Sequence, residues 1–540
     1  MRRLSLVLLA LAALVPAAAQ TPPAMREAAA ARRARLLQKI TDGILIVQSA
    51  DRSQPNLYEF MVPDTESHDF IYLTGLERPR EPGSILVLNP KGKTYREILY
   101  TADEVEQVKK RTGMAHVFPY ARFLQDLSSA ITDYRNLRIT QLRFKPVASE
   151  ISLGLGVEGK RKVIYFNYPR FTNLGEPANP RFELAARLRD ASPEIEMRDA
   201  AEILDFERMI HDEYGQAQLR QAIRITGHGL IEGMKAARAG LTTKEVMEVI
   251  DFVYRYNGAK LGFPTGVSSG PSGLPIYATA RDEHEARAGS FPIRSGELVH
   301  IDTGAEFNHY SADIQRNVPA DGRFTDEQKR IYTVVADVQK AVIAEVRPGA
   351  LWRDLHDLAV KMLADAGGWD KSYTYGIGHF IGMEVHDHGD YVGPLQPGMV
   401  IAIEQGAIVN GTRVAFEDDV LVTANGHEWL SRFIPFEIAE VEKLRLEPPT
   451  FDPAKVLLPP VREAAPTNFY RPVRESAGPR PPPPGPGFAA SRGGGPGGIR
   501  AYPGPLRRNR RASGRPEARR RAALEAAGGR KQLDIQLTGR

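Results

Sequence analysis

The chain has 540 residues, 42% of them hydrophobic and 25% charged, with a formal net charge of +5. That length exceeds one ordinary core and predicts two or more domains, and the composition is that of a folded, soluble protein. Cysteine is absent, which excludes disulfides, thiol nucleophiles and zinc thiolate sites; any metal must be held by histidine and carboxylate.

Arg2 and Arg3 precede an apolar run over 4–15, and Ala17-Ala18-Ala19 offers a small-residue cleavage site before Gln20. This order predicts a cleavable secretory signal over 1–19 and a secreted or periplasmic product. The run is too short to span a bilayer comfortably; an uncleaved anchor is the alternative. No second long apolar run follows, so no membrane anchor is expected. Residues 26–45 read as a helix. Apolar, β-branched runs at 43–48, 70–74, 84–88, 97–100 and 163–166 read as strands, separated by helical stretches. Together they predict a small layered α/β domain over 26–200.

From residue 203 to 445 the pattern changes to helix, helix, hairpin, and then repeats. Helices are expected at 213–237 and 243–257 before a first hairpin, and at 325–345 and 351–366 before a second. Arg238-Ala-Gly240 recurs as Arg347-Pro-Gly349, and Gly258 as Gly367. Gly296-Glu-Leu-Val-His-Ile-Asp302-Thr-Gly304 recurs as Gly398-Met-Val-Ile-Ala-Ile-Glu404-Gln-Gly406. Two such units would pack their curved sheets together with the helices outside. Turns are expected near Asn308 and at Asn410-Gly411, the latter a strong hairpin pair. The chain is therefore α+β, a small α/β domain followed by a duplicated one. Residues 446–540 carry 18 basic and 7 acidic side chains, leaving the first 445 at net −6, and 30 of these 95 residues are Pro or Gly. Such a segment is expected to be disordered. The positive charge thus sits in the tail, which weakens a nucleic-acid reading. A passive extension, an anionic-surface binder and an out-of-frame extension of the gene are the readings of that tail.

Each hairpin places one acid on its outgoing strand and one on its return: Asp302 and Asp313, then Glu404 and Glu417. A lone acid is ordinarily a solvated surface charge. Here Asp302 and Glu404 follow apolar runs, where an unpaired acid is costly to bury, and the placement repeats. At ~4 Å and an effective dielectric of ~20 each like-charge pair costs about 4 kcal/mol; two divalent cations remove that cost. His379 lies between the hairpins in sequence. Oxygen-rich ligation with one imidazole favours Mn²⁺, with Zn²⁺, Co²⁺ or Fe²⁺ as substitutes.

These motifs resemble the pita-bread metallopeptidases of family M24, in the aminopeptidase P and prolidase branch. Asp302 in His-Ile-Asp-Thr-Gly, Asp313 eleven residues on, His379 in Gly-His-Phe, Glu404, and Glu417 in Phe-Glu-Asp-Asp match the family's five metal ligands in order. Ser67-His-Asp-Phe-Ile-Tyr-Leu-Thr-Gly75 resembles its N-terminal domain. The resemblance implies an Xaa-Pro aminopeptidase acting on a peptide substrate by attack of a metal-bridging hydroxide. Asp302 would hold one ion and His379 the other, with Asp313 and Glu417 bridging. Glu404 would ligate and shuttle the proton, and His386 would contact substrate. Departures fall around the substrate: Ile276 and Tyr375 replace family histidines, Gln405 a proline, and Ala415 an arginine, although Arg413 is near. A prolidase or broader dipeptidase, and a metal-free binding module on the same fold, are the alternatives; a homo-oligomer is left open.

Overall fold

The computed structural model describes residues 22–49, 67–136 (apart from 78, 79, 81 and 82), 146–156, 162–168, 180–270, 291–372 and 376–450. The expected signal, Ile276, Tyr375 and nearly all of the expected tail lie outside the described residues. From Val461 the chain groups as a separate unit, also outside them.

Helix α1 (Pro23–Lys39) begins with proline at its first turn and ends six residues before the expected boundary. Gly43 stands at φ 79 and leads into β1 (Ile44–Gln48); a side chain there would strike the Val163 carbonyl at 2.3 Å. The run at 70–74, read as a strand, is helix α2 (His68–Thr74). Local capping overrides β-propensity here. Ser67 accepts the Phe70 N–H, Asp69 sits in the positive first turn, and Gly75 at φ 66 closes the end. Strands β2 (Ser84–Leu88) and β3 (Glu97–Thr101), helix α3 (Val105–Thr112), β4 (Val117–Pro119), α4 (Phe123–Asn136), α5 (Pro146–Leu155), β5 (Lys162–Phe166), α6 (Pro180–Ala191) and β6 (Ile195–Asp199) complete the first layer. Its sheet runs β4-β3-β2-β1-β5-β6.

Helix α7 (Ala201–Met209) leads into the duplicated part. Its first unit holds α8 (Glu213–Ala236), α9 (Thr243–Tyr256), β7 (Lys260–Leu261), β8 (Gly266–Ser269), β9 (Leu298–Thr303), β10 (Ala305–Phe307), β11 (Tyr310–Ser311) and β12 (Ile314–Pro319). The second holds α10 (Asp326–Ala344), α11 (Trp352–Asp365), β13 (Gly378–Phe380), β14 (Val400–Val409), β15 (Thr412–Thr423) and β16 (Gly426–Trp429), closed by α12 (Ile438–Leu444). The repeated glycines have a physical reason. Gly240 and Gly349, Gly258 and Gly367, and Gly296 and Gly398 all take positive φ, between 75° and 120°, a region other residues rarely enter. The hairpin turns are two-residue loops with both residues at positive φ, Asn308-His309 and Asn410-Gly411.

The two hairpins do not pack as separate sheets. They join edge to edge, through Gln315↔Glu417, into one seven-stranded sheet with the path β13-β14-β15-β12-β9-β8 and β16 on β15. The first hairpin is also interrupted at Gly304, and its tip (β10 and β11) forms a small sheet with β7. Helices α8 to α11 contribute Ile223, Leu230, Val246, Ile331, Val335 and Leu363 to the core against the sheet. Among the described residues no helix is long and apolar enough to cross a membrane.

Candidate metal centre

The seam of the sheet builds the site. Four strands align one residue each: Asp302 on β9 pairs with Gln315 on β12, Gln315 with Glu417 on β15, and Glu417 with Glu404 on β14. Directly opposed residues share a face, so three acids and one amide form a row across the sheet. Asp313 precedes Gln315 by two residues and shares that face. His379 on β13 lies opposite Ala402, two residues before Glu404.

The ligand atoms of Asp302, Asp313 and Glu417 lie within 4.8 Å of one another, as do those of His379, Glu404 and Glu417 and those of Asp313, His379 and His386. His379 Nε2 stands 3.5 Å from Asp313 Oδ2 and 3.3 Å from Glu417 Oε1. Asp302, Asp313, His379 and Glu417 are at most 7% exposed. His386 is exposed, and its ring packs edge-on against His379 with centroids 4.1 Å apart. All six residues singled out in the sequence thus meet in one place.

Burial, followed by mutual repulsion, pushes the Asp302 and Glu417 carboxyls well above the usual range and Glu404 up to about 6. Burial alone would lower the His379 imidazole. Hydrogen bonds to Asp313 and Glu417 outweigh it and hold the ring well above its ordinary value. The cluster therefore lacks positive charge. Asp313 Oδ1 is buried and finds no hydrogen-bond partner among the described residues. Four carboxylates and an imidazole converging with unmet acceptor capacity fit hard or borderline divalent cations.

Sequence reasoning missed three supporting residues. Gln315 donates from Nε2 to Glu417 Oε2 at 2.5 Å, fixing that carboxylate; its place two residues after Asp313 is the signal that could have found it. Asp419, fully buried, accepts the Asp313 backbone N–H at 3.2 Å. Arg208, also buried, pairs with Asp387 at 2.6 Å, Asp69 at 3.0 Å and Glu384 at 3.2 Å. Asp387 in turn accepts the Met383 and His388 N–H groups, which ties down the loop carrying His386.

Of the departures noted in the sequence, Gln405 and Ala415 are described. Gln405 is 1% exposed and its side-chain amide has no hydrogen-bond partner among the described residues. Ala415 leaves room for Asn317, whose amide bonds both the Ala415 carbonyl and its N–H.

A small α/β domain joined to a duplicated sheet that carries five clustered metal-type ligands is the architecture of the pita-bread class. The chain matches metallopeptidase family M24 over residues 217–424, and the aminopeptidase P N-terminal domain over 29–139. Xaa-Pro aminopeptidase 1 of Streptomyces coelicolor is 33% identical over 273 residues, 44% of this chain and 54% of that protein. An Xaa-Pro dipeptidase of Pyrococcus furiosus is 26% identical over 310 residues, 56% of this chain and 85% of that one. The matched part spans little more than half of the Streptomyces relative. The fold is similar to that of Pseudomonas aeruginosa aminopeptidase PepP, with a TM-score of 0.62 at 23% identity over 78% of this chain and 98% of the other.

Proposed function

We propose that the protein is an exported dinuclear-metal aminopeptidase that hydrolyses the N-terminal Xaa-Pro bond of peptides. The observation that carries this is the row Asp302, Glu417 and Glu404 with Asp313 and His379 beside it. Asp302, Asp313, His379, Glu404 and Glu417 would hold the two ions; Mn²⁺ suits this donor set best. When bound, the ions supply the charge that polarises the scissile carbonyl and acidifies water. Glu404 would take a proton and pass it to the leaving nitrogen. His386, held beside His379 by its anchored loop, donates to the oxygen that gathers charge. The names of relatives support the proline preference, and the N-terminal pattern of Arg2, Arg3 and Ala17-Ala18-Ala19 supports export. Ala415, two residues before Glu417 on the same face of β15, is the described departure beside the acid row and favours a dipeptidase of broader range as the second reading; Gln405 lies on the opposite, buried face of β14.

The test is Mn²⁺-dependent cleavage of an Xaa-Pro-Xaa panel against matched Xaa-Ala peptides. Preferential cleavage of the proline series is expected. Equal rates on both would remove the proline preference, and no metal-dependent cleavage of either would remove the peptidase.

A further inference from the structure

A second feature of the active-site face has no role in that reaction. A cavity of about 240 Å³ is lined by Ser268, Glu297, Leu298, His300, Thr412 and Arg413, among others. His300 precedes Asp302 by two residues on β9 and so shares the face of the acid row. Arg413 lies opposite Ile408, and precedes Glu417 by four residues on β15. The cavity therefore adjoins the acid cluster, about 7 Å from it along the β9 strand.

Its polar groups are incompletely used. His300 is 3% exposed; Nδ1 meets Asn317 Oδ1 at 3.2 Å, while Nε2 is buried without a hydrogen-bond partner among the described residues. Asn317 Oδ1 also faces the Ala415 N–H, and its amide nitrogen donates to the Ala415 carbonyl. That arrangement fixes the oxygen toward His300 and assigns the ring proton to Nδ1, leaving Nε2 an acceptor. The Arg413 side chain makes no hydrogen bond or ion pair with the described residues, although its charge reaches Asp302, His300 and Glu404. The cavity's own acid, Glu297, is already engaged by Ser269 Oγ at 2.7 Å and by the Arg294 N–H at 2.9 Å. What remains is a guanidinium beside a buried acceptor. The complementary ligand carries a carboxylate next to an N–H, which is the chemistry of a peptide's terminal residue.

We propose that this cavity is a carboxylate subsite, in which Arg413 pairs with a peptide carboxylate and His300 Nε2 accepts the neighbouring N–H. The inference rests on the peptidase reading for its choice of ligand. Its position within one or two residues of the acid cluster makes short peptides with a free C-terminus the favoured substrates. An acidic side chain at the first residue is the other source of the same chemistry.

The test compares Ala-Pro-Ala as free acid and as C-terminal amide on the metal-loaded full chain. Amidation should raise KM by about 10- to 100-fold with a far smaller change in kcat, the loss of one charge-assisted contact. Arg413→Met should raise KM for the free acid to that of the amide. Arg413→Lys, which keeps the charge, should retain most of the preference and so separates this effect from misfolding. If Glu-Pro-Ala-amide instead binds as well as the free acid, and Arg413→Met removes that advantage, the subsite stands and the first side chain fills it. Titration calorimetry of acid and amide on Glu404→Gln reads binding without turnover. Unequal binding with no turnover of any peptide by the wild type would keep the subsite and sink the peptidase. Turnover with equal KM and equal binding of all forms would overturn the subsite alone.

Discussion

Arg316 and Asp418, both fully buried, pair at 2.6 Å directly behind the join between the two hairpins. They alternate with Gln315 and Glu417, so they occupy the opposite face of β12 and β15. Arg316 Nη1 also donates to the carbonyls of Gln315 and Glu417, and Asp418 accepts from Ser431 Oγ at 2.5 Å and Gln339 Nε2 at 3.1 Å. The one backbone pairing across the join is Gln315↔Glu417; Asn317 with Ala415 and Asp419 with the Asp313 N–H add to it, and this ion pair clamps it from the back.

Arg316→Met should therefore destabilise the protein by about 3–5 kcal/mol, because it strands the Asp418 charge in the core. Urea unfolding at fixed metal concentration measures it. A loss under about 1 kcal/mol would show that the clamp is dispensable.

Metal and pH should be linked. Asp302, Glu404, Glu417 and His379 all have folded pKa values raised above their unfolded ones, so the metal-free native state binds more protons than the unfolded chain. Stability from these groups is present below pH ~4, and is lost as pH rises through the raised values, for Glu404 between about 4.5 and about 6. Metal-free protein should thus lose stability from pH 5 to 8 relative to the metal-loaded form, and metal binding should release protons. Calorimetry in buffers of different ionisation enthalpy checks the release; none at pH 6 would contradict the assignment.

Glu404→Gln keeps size and removes the carboxylate proposed to carry the proton. We expect kcat to fall by about 10²- to 10⁴-fold with KM changed far less. Steady-state kinetics at saturating Mn²⁺ decides; a matching loss in KM instead would assign Glu404 to substrate binding.

The sequence disclosed the acid cluster better than its supports. Asp302 and Glu404 were legible because duplication repeated them after apolar runs, and Gly296 and Gly398 because positive φ demands glycine. Phe70 to Thr74 misled because four of the five residues are β-prone and all five are buried around a whole helix turn; capping by Ser67 and Gly75 decided the outcome. Gln315 and the Arg316–Asp418 clamp were hidden, since they depend on which strands become neighbours, and the edge-to-edge join is a tertiary fact that no local periodicity carries.

Gln405 provides a test on the packing side. Its amide is buried without a described partner, a state that costs about 1–3 kcal/mol. Gln405→Met, similar in volume, should raise Tm by a few degrees in differential scanning calorimetry. A lower Tm would mean that the amide is satisfied in solution.

The most direct measurement is the number of divalent ions bound per chain, by equilibrium dialysis against Mn²⁺ followed by elemental analysis. The wild type should hold two, and Asp313→Ala, which removes a group shared between them, should hold one or none and lose turnover. A wild type that binds no metal, or an Asp313→Ala variant that keeps both ions and full activity, would contradict the dinuclear centre.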